Sequence, residues 1–558
     1  VMTRNTQVWS NPEVTIDGLA MTGREKQRWA LPGFLRVVCE NPAARVVTDF
    51  VGNAEFHYVC CSRSKVVFPG RMLAMCARGE IVARLLSSAG PKTVWLPQRM
   101  VVGRIDDDGR LRERVSGGVE VQSNVDDSGL FCTMSSGGVD ESIHFPYAVF
   151  DDPEGRVYED LVTLRSAETR RYCKSLWFLA DAPGDLWRYL VHGHVYDVRK
   201  TNMGEYRWRC QQCAFAWWSY FAHLRRKTRK EVYGWMQDEV AACVLLDLDE
   251  VGAWRHGSWS DEIETQTRFL MDGLHLLISQ FEKTGDHIWI EAAERAMSYA
   301  ETTLLDRGND GKRVWFLHDT LELKSGQHFT SGAFGLSAGN THCLNTHIQA
   351  LVVLRRLARH LPGRTKYTSY YREGLYVLKV MLEAAPAERL FAWFGPWVCR
   401  TLEESPRTGM VRRMKWFISR WLLSHVYWRV RRLFPRMCYP NGFIERDLTK
   451  SMFADQYHVI NVKDLLTLYA YEQREEWLRK PIEGGMAFLR TVNIGDALQQ
   501  SNFYIETADI VEMYHRLIAP VFPEERELIA DAVWNETHGC SLDAACDALV
   551  PGLSLANQ

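Results

Sequence analysis

Short apolar runs alternate with turns in the first third of the chain. Residues 65–68 (KVVF) and 94–96 (VWL) are two such runs, and turns rich in glycine or aspartate lie between the runs. Short runs at this spacing are typical of an antiparallel sheet or sandwich. The pattern therefore predicts an antiparallel β domain over residues 41–165. The preceding residues 1–40 are predicted to form a mixed extension with one short helix near Lys26–Val38.

Longer amphipathic segments replace this pattern after about residue 165. Apolar side chains then recur every three or four positions, as at Leu270, Leu274 and Leu277, which is the spacing of one face of an α-helix. The predicted helices cover residues 166–179, 205–246 (as two helices), 261–284, 288–304, 341–360, 367–384, 462–473, 476–492, 502–517 and 524–535. Helical hairpins without a fixed repeat length predict an (α/α) toroid over residues 166–558 rather than a solenoid. The predicted fold class is thus α+β and multidomain, with the N-terminal antiparallel β domain followed by the C-terminal (α/α) toroid.

The composition excludes some classes of protein. The chain of 558 residues has a formal net charge of −2, so no overall charge attracts it to nucleic acid, and no nucleic-acid partner is expected. Fourteen scattered cysteines include a lone CxxC at Cys210 and Cys213, which does not suffice for a zinc ribbon, and they favour a reducing compartment. No signal pattern or long apolar run occurs, so the predicted localisation is cytoplasmic.

Four clusters of polar and aromatic residues lie at the predicted helix starts and loops. They cover residues 256–262, 315–322, 340–347 and 441–458. Loops at one end of a toroid can bring polar groups together without burying them, so we expect the chemistry there. The 20 tryptophans suit the flat faces of sugar rings, and they equally suit a large helical core. No nucleotide-binding glycine fingerprint and no nucleophile elbow occurs, so no cofactor is predicted.

Each cluster has a purely structural alternative. Asp261 lies in a Ser-Asp-Glu sequence that also suits a helix N-cap. His342 and His347 are five positions apart, so they do not share a helix face as a pair of zinc ligands would, and no metal site is predicted. Glu322 lies beside aromatic residues, where a carboxylate is a candidate base of raised pKa. A solvated loop acid is an equally good interpretation of Glu322.

Three segments carry a resemblance to a known family. Residues 257–260 (GSWS) open a long helix, and residues 371–382 (YREGLYVLKVML) are similar to the family's sequence YERGMESLKAML. Residues 455–458 (DQYH) precede a helix, as WDYHTTHINQL does in the family. Taken in this order, residues 255–492 resemble the catalytic C-terminal domain of D-glucuronyl C5-epimerases. These enzymes convert glucuronate to iduronate within heparan-type chains by removing the C5 proton and returning it from the other face.

The resemblance implies roles for individual residues. Glu322 matches a catalytic glutamate, Tyr457 matches a catalytic tyrosine, and Arg446 lies close to a functional arginine that would bind substrate. The family's second tyrosine is absent, and Glu445 lies in the corresponding stretch, so Glu445 is the third predicted catalytic residue. The other predicted substrate-binding residues are Trp259, Asp261, His318, Asp319, Asn345, His347 and His458.

The expected function is that of a carbohydrate-active isomerase. It would epimerise glucuronate at C5 in an anionic polysaccharide, with neither metal nor cofactor. If Glu445 does not replace the missing tyrosine, the same scaffold would support β-elimination or hydrolysis. A glycoside hydrolase would pair Glu322 with Asp261 or Glu445. A non-catalytic factor in polysaccharide assembly or export is the second alternative.

Residues 400–437 form a basic, aromatic insertion in the predicted toroid. Residues 411–436 contain eight Lys or Arg and no acid. On a helical wheel most apolar residues share one face and arginines lie opposite, which is typical of a helix in a membrane interface. The apolar set is Met414, Phe417, Ile418, Trp421, Leu422 and Trp428, and the opposite set is Arg413, Arg420 and Arg431. A helix packed on the toroid and a basic wall for an anionic polysaccharide are the alternatives. We therefore expect peripheral contact with the inner membrane, and a homodimer is compatible with the sequence.

Overall fold

The computed structural model of the protein describes most of the chain up to residue 491. The described residues are 8–16, 19–40, 44–61, 63–77, 80–97, 99–113, 122–126, 129–135, 142–162, 183–200, 206–258, 262–308, 310–323, 334–402, 409–448, 455–472, 475–491, 510, 513–514 and 517–518. Two predicted helices, at residues 166–179 and 524–535, lie outside these ranges, as does most of the one at 502–517.

The chain divides into two compact units. Within the described residues, unit 1 contains the chain up to Glu264 together with Ser279–Ala292. Unit 2 contains Thr265–Ile278 and the chain from Ala293 onward.

A large antiparallel sheet dominates unit 1. Its fourteen strands lie in the order β12-β13-β6-β1-β2-β3-β4-β5-β14-β9-β8-β7, with β10 paired to β14 and β11 paired to β10. The strands are β1 Val8–Ile16, β2 Leu19–Leu31, β3 Phe34–Glu40, β4 Ala44–Val51, β5 Ala54–Cys61, β6 Arg63–Pro69, β7 Arg71–Ala77, β8 Glu80–Ser87, β9 Gly90–Pro97, β10 Val101–Ile105, β11 Leu111–Glu113, β12 Gln122–Asp126, β13 Gly129–Ser135 and β14 Ser142–Asp151. The predicted antiparallel β region is therefore present.

The short helix predicted near Lys26–Val38 is wrong. These residues lie in β2 and β3, which form a hairpin in which Leu31 is opposite Phe34. The turn between them is Pro32-Gly33, and Gly33 has φ 69°. Proline and glycine in the middle of a segment both oppose a helix, and the conformation is decided by the neighbouring strands rather than by local spacing.

The remaining elements of unit 1 follow the sheet. They are α1 Arg156–Val162, α2 Leu186–Tyr189, β15 Leu190–Val191, β16 His194–Val195, α3 Gln211–Thr228 and α4 Val232–Leu246. The two helices predicted within residues 205–246 are confirmed as α3 and α4, which pack on each other. The ring of Trp235 on α4 stacks on Phe150 of β14, with the ring centroids 5.8 Å apart, so α4 covers part of the sheet.

Helical hairpins make up most of unit 2. The elements from the end of unit 1 onward are α5 Thr267–Thr284, α6 His287–Thr303, β17 Leu305–Arg307, β18 Val314–Phe316, α7 Leu344–His360, α8 Thr365–Glu383, α9 Glu388–Leu402, α10 Met410–Leu422, a π-helical turn Leu423–Tyr427, α11 Trp428–Leu433, α12 Asp455–Tyr471 and α13 Glu476–Thr491. The predicted pairs α7/α8 and α12/α13 are confirmed, because the members of each pair pack together.

The first part of α5 lies beside α7 and α12 in unit 2. α7 packs against α12, and α8 packs against α13. The start of α5 is joined to α12 by a hydrogen bond of 2.9 Å from Arg268 to Asp464. The Arg356 guanidinium of α7 lies 2.9 Å from His275 Nδ1 of α5. These contacts place α5, α7 and α12 beside one another, while closure into a full ring stays a prediction.

The helix predicted in the basic insertion is observed as α10, the π-helical turn and α11, and its contact with a membrane stays a prediction. Among the described helices, none is both long enough and apolar enough to cross a membrane. The prediction is wrong for one residue of the basic face. Arg431 is only 2% exposed and donates a hydrogen bond to the Asp447 carbonyl, because the helix turns this side chain into unit 2. The side chain of Trp428 lies outside the described part of the structure.

Candidate functional site

The loops before α7 and before α12 run side by side. The Leu344 N–H donates to the Arg446 carbonyl at 2.7 Å, and the Leu448 N–H donates to the Thr341 carbonyl at 3.1 Å. Two sequence clusters that are far apart along the chain are therefore adjacent in unit 2. The described residues of the predicted site gather around this pair of loops.

Glu322 is a buried brace between two of these loops. Glu322 is 1% exposed. Both carboxylate oxygens accept main-chain hydrogen bonds, one from the His318 N–H and one from the Thr341 N–H. Burial raises the pKa of Glu322, while the hydrogen bonds from Thr341 and His318 act in the opposite direction. The two hydrogen bonds hold the Glu322 carboxylate between the loops, and each oxygen retains a second lone pair, so the base role of Glu322 stays a prediction.

His318 and Asp319 form a side-chain pair at the edge of this brace. His318 Nδ1 lies 2.9 Å from Asp319 Oδ2, and the other oxygen of Asp319 accepts the Leu321 N–H at 2.8 Å. Asp319 is buried and the imidazole is half-buried. A buried carboxylate that holds one ring nitrogen fixes the orientation of the imidazole, so Asp319 sets the direction in which the His318 ring faces.

Arg446 and Tyr457 form a partly exposed polar group of the site. The Arg446 guanidinium lies 4.8 Å from the centre of the Tyr457 ring, and its Nε donates to Asp447 Oδ2 at 2.6 Å. The Arg446 side chain is 23% exposed. Although burial opposes its charge, the carboxylate of Asp447 keeps the pKa of Arg446 above its usual range. Arg268, also half-buried, feels the electrostatic field of Tyr457, so two cations and one phenol share this region.

Two other predicted residues are interior. Glu445 Oε1 accepts the Arg446 N–H at 3.1 Å, and Glu445 Oε2 lies 3.6 Å from the Arg431 guanidinium. Asn345 accepts a hydrogen bond from the Cys343 thiol at 3.1 Å. Both residues are buried, so the structure ties them to neighbouring protein groups.

His347 and His458 make the same pair of main-chain hydrogen bonds in two different helix pairs. His347 Nδ1 accepts the Phe316 N–H at 3.4 Å, and its Nε2 donates to the Gly374 carbonyl at 3.1 Å. Because a main-chain N–H can only donate and a carbonyl can only accept, the proton of the neutral ring is on Nε2. Burial lowers the pKa of His347 to about 3.

The second copy of this arrangement lies in the α12/α13 pair. His458 Nδ1 accepts the Ile444 N–H at 2.9 Å, and its Nε2 donates to the Gly485 carbonyl at 3.2 Å. Burial lowers the pKa of His458 to about 4. In each copy the histidine and the glycine are 27 positions apart. Since both ring nitrogens are occupied, these histidines position the helix starts, and substrate binding predicted for them would be indirect.

Some residues of the site had no predicted role. Arg268 gave no sequence signal beyond being a charged residue in a helical segment, whereas Asp447 lay in a predicted polar cluster without a role of its own. His342 is buried with a left-handed φ of 56°, and neither ring nitrogen has a hydrogen-bond partner among the described residues. The predicted ligand-binding residues Trp259 and Asp261 lie outside the described residues.

No protein-family model matches the chain, and no curated protein matches it. Among solved structures, the chain is similar to a polysaccharide lyase, with 11% identity and a TM-score of 0.31 over 55% of this chain and 73% of that one. It is also similar to a glycosyl hydrolase family 88 protein from Bacteroides vulgatus, with 10% identity and a TM-score of 0.29 over 50% of this chain and 60% of that one. A third similar structure is a cellobiose 2-epimerase from Bacillus thermoamylovorans, with 11% identity and a TM-score of 0.27 over 51% of this chain and 76% of that one. Likenesses this low carry no argument about activity, and membership of the glucuronyl C5-epimerase family stays a prediction.

Proposed function

We propose that the protein is a carbohydrate-active enzyme that acts on a uronate-containing polysaccharide and exchanges the proton at C5 of the uronate. The observation that carries this proposal is the Arg446 guanidinium over the Tyr457 ring at 4.8 Å, with Arg268 nearby. A C5 proton becomes acidic when the adjacent carboxylate takes up negative charge as an enolate, and cations aimed at that carboxylate stabilise the charge. The half-buried arginines supply such cations.

Tyr457 and His318 are the proposed proton-transfer groups. Both are half-buried, so each can reach a bound sugar, and a phenol and an imidazole can each donate or accept a proton. Asp319 orients the His318 ring. Epimerisation needs one such group on each face of the sugar. His318 would then serve in place of the tyrosine that the family has and this chain lacks.

Glu322 is proposed to position these groups rather than to act as the base. It connects the His318 N–H to the Thr341 N–H. Cys343, two residues further along, feels the charges of both Arg446 and Glu322. Glu322 therefore lies between the loop of His318 and the loop of Arg446, and its loss would displace both loops.

A two-carboxylate hydrolase is less well supported by the same geometry. Such an enzyme needs two carboxyl groups that reach the scissile bond from opposite sides. Glu322 and Glu445 are buried and engaged with protein groups, and Asp261 lies outside the described residues. Proton transfer at C5 remains common to an epimerase and a lyase, so the products must separate these two.

Incubation with a glucuronate polymer in deuterium oxide tests the proposal. We expect deuterium at C5 by mass spectrometry, with no new reducing ends and no unsaturated uronate. Tyr457→Phe should abolish the exchange, whereas Tyr376→Phe, a change at an exposed tyrosine of α8, should not. An unsaturated product would identify a lyase. New reducing ends with a fully protonated C5 would identify a hydrolase and overturn the proposal.

A further inference from the structure

Three potential metal ligands meet at one place on the sheet of unit 1. Cys60 of β5 is the direct cross-strand partner of His144 of β14, so their side chains lie side by side on one face. His192 lies in the turn between β15 and β16. One ligand atom from each of the three lies within 4.8 Å of the other two. Tetrahedral zinc ligands are separated by about 3.3–3.8 Å, as follows from metal–ligand distances of about 2.0–2.3 Å, so small side-chain rotations would close the set.

The two imidazoles are set up as ligands. His144 Nε2 donates to the Gly103 carbonyl at 3.3 Å, which leaves Nδ1 as the atom with a free lone pair. His144 Nδ1 and His192 Nδ1 are both buried without a hydrogen-bond partner among the described residues. A ligand histidine ordinarily donates its other N–H to a carbonyl in this way. His192 also has a left-handed φ of 55°, a strained conformation of the kind that accumulates at functional sites.

One cation lies near the cluster. Arg45 is close enough to act electrostatically on both Cys60 and His192 and would repel a bound ion. The thiolate that Cys60 forms on binding would offset that repulsion.

We infer that Cys60, His144 and His192 form a site for one divalent ion of the zinc class in unit 1. Two nitrogens and one sulfur suit zinc, and three protein ligands leave a fourth position for water or another ligand. Binding exchanges the Cys60 S–H bond for a sulfur–metal bond and releases one proton per ion. No metal site is predicted from the sequence, because the three ligands have no motif spacing.

Two other clusters in unit 1 have ligand atoms as close together, but their acids already pair with arginines. In the cluster of Asp197, Cys210 and Cys213, Asp197 accepts hydrogen bonds from Arg199. In the cluster of Asp49, Glu239 and Cys243, Asp49 accepts a hydrogen bond of 2.7 Å from Arg36. Neither cluster therefore carries the inference.

Cobalt titration of the metal-stripped full-length protein tests the site. We expect one Co²⁺ per chain, with thiolate-to-metal charge-transfer absorption and the visible bands of four-coordinate cobalt. One proton should be released per ion, and Zn²⁺ should displace the cobalt and raise the Tm. If the protein binds no stoichiometric Co²⁺, or binds it without thiolate absorption, the inference is wrong.

Matched variants separate ligation from folding. Cys60→Ala should remove the thiolate absorption, and His192→Asn should weaken cobalt binding by more than about tenfold, since asparagine tolerates the left-handed φ. Cys76→Ala, at a partly buried cysteine of β7, should leave both properties unchanged. Retention of the charge-transfer band in a folded Cys60→Ala protein would overturn the assignment.

A second, independent feature is the exposed apolar face of α10. Phe417 is 64% exposed and Trp421 is 56% exposed, and further exposed apolar residues continue the face at helical spacing. These are Met410, Val411, Met414 and Ile418. The opposite side is anchored, because Leu423 and Tyr427 are buried in an apolar cluster with Phe391. A helix held this way presents large apolar side chains outward.

Basic side chains surround this apolar face. Arg412, Arg413, Lys415 and Arg420 are all exposed, and no Asp or Glu occurs between Glu404 and Glu445. We propose that α10 docks on an anionic lipid surface, with the apolar side chains at the acyl boundary and the cations at the headgroups. Charge complementarity selects this partner, while an anionic polysaccharide alone would not require a row of exposed Phe, Trp and Met.

Vesicle sedimentation tests the docking surface. The protein should bind phosphatidylcholine vesicles that contain phosphatidylserine, and salt should weaken the binding. Phe417→Ser with Trp421→Ser should weaken it at least tenfold, whereas Tyr376→Ser, which alters another exposed aromatic residue, should not. Arg412→Gln with Arg413→Gln should weaken it about fivefold per charge at low salt, in contrast to the charge-matched control Arg372→Gln with Lys379→Gln.

Three outcomes would overturn the docking proposal. Equal binding to neutral and acidic vesicles would remove its electrostatic basis. Self-association through α10 without vesicle binding, measured by sedimentation velocity, would make this face an interface between copies of the chain. Binding of an anionic polysaccharide through the same arginines without vesicle binding would assign the face to substrate.

Discussion

Individual side chains at the candidate site divide into positioning groups and accessible groups. Glu322, His347 and His458 use their polar atoms on main-chain partners. Arg446 and Tyr457 are only half-buried. Side chains bonded to main-chain partners hold the shape of the site, while partly exposed side chains can reach a ligand.

Glu322→Gln should therefore lower the stability of the protein as well as its rate of C5 proton exchange. A glutamine offers one acceptor oxygen and one NH₂ group, so either the His318 N–H or the Thr341 N–H would face a donor. We expect a loss of about 1–3 kcal/mol in unfolding free energy, measured by denaturant unfolding. Glu291→Gln, at an exposed position of α6, is the control. Lost C5 exchange with unchanged stability would instead support the base role of Glu322.

The sequence predicts which residue types lie at the site more reliably than it predicts their roles. Tyr457 and Arg446 were both predicted, and the structure places them together. Glu322 was predicted as a base, yet its two hydrogen bonds depend on a loop conformation that no local pattern encodes. Cys60 and His144 are adjacent because of strand register, which sequence spacing does not reveal.

At the level of elements, the helix pairs α7/α8 and α12/α13 share one construction. In each pair a histidine at the start of the first helix bonds to a glycine of the second helix 27 positions later. The glycine permits the helices to approach closely. A Cβ at Gly374 would lie 2.6 Å from Leu351 Cδ2, and one at Gly485 would lie 2.6 Å from Val462 Cγ2.

Gly485→Ala should push α13 away from α12. The nearest atom belongs to a β-branched valine, which has little rotamer freedom in a helix, so we expect a loss of about 1–3 kcal/mol in stability. The adjacent Gly484→Ala is the control, because its Cβ would meet nothing closer than 3.5 Å. Val462→Ala combined with Gly485→Ala should recover part of the loss in a double-mutant cycle. Equal Tm values for the two alanine variants would contradict the close-packing argument.

Helices were easier to predict than strands for a physical reason. The helix predicted at residues 288–304 is observed as His287–Thr303, because one buried face imposes its period on the local sequence. The residues of β2 and β3 instead owe their conformation to cross-strand pairing. Because the local sequence does not show this pairing, a helix was wrongly predicted there. The His–Gly contact could not be predicted from the sequence, because the two helix pairs share this contact but no sequence motif.

For the whole molecule, stability should depend on pH through buried carboxyl groups. Glu80 accepts a hydrogen bond of 3.0 Å from Trp95 Nε1. Burial is the main cause that raises its pKa to about 7, with Asp185 adding to the shift and the Trp95 hydrogen bond opposing it. The folded state therefore holds a proton that the unfolded state releases above about pH 4.5. This contribution makes the protein less stable as pH rises from about 4.5 to 7, by up to about 3 kcal/mol.

Glu80→Gln should flatten this pH dependence. The amide keeps a hydrogen-bond acceptor for Trp95 Nε1 and does not ionise, so the variant should gain stability relative to wild type at pH 8 and not at pH 4. Thermal unfolding across that range measures the effect, with Glu154→Gln, at an exposed position, as the control. The same pH profile in the variant and in wild type would show that Glu80 is not the group responsible.

The strand order of unit 1 also has a consequence for synthesis on the ribosome. β1 to β5 pair in sequence as they emerge, but the free edge of β5 is filled by β14, which is made many residues later. Non-local pairing of this kind is slow, and an unpaired strand edge can recruit another chain. The nascent sheet therefore exposes the unpaired edge of β5 until residues 142–151 have left the exit tunnel. Pauses in translation before that point should promote aggregation, whereas pauses after it should not.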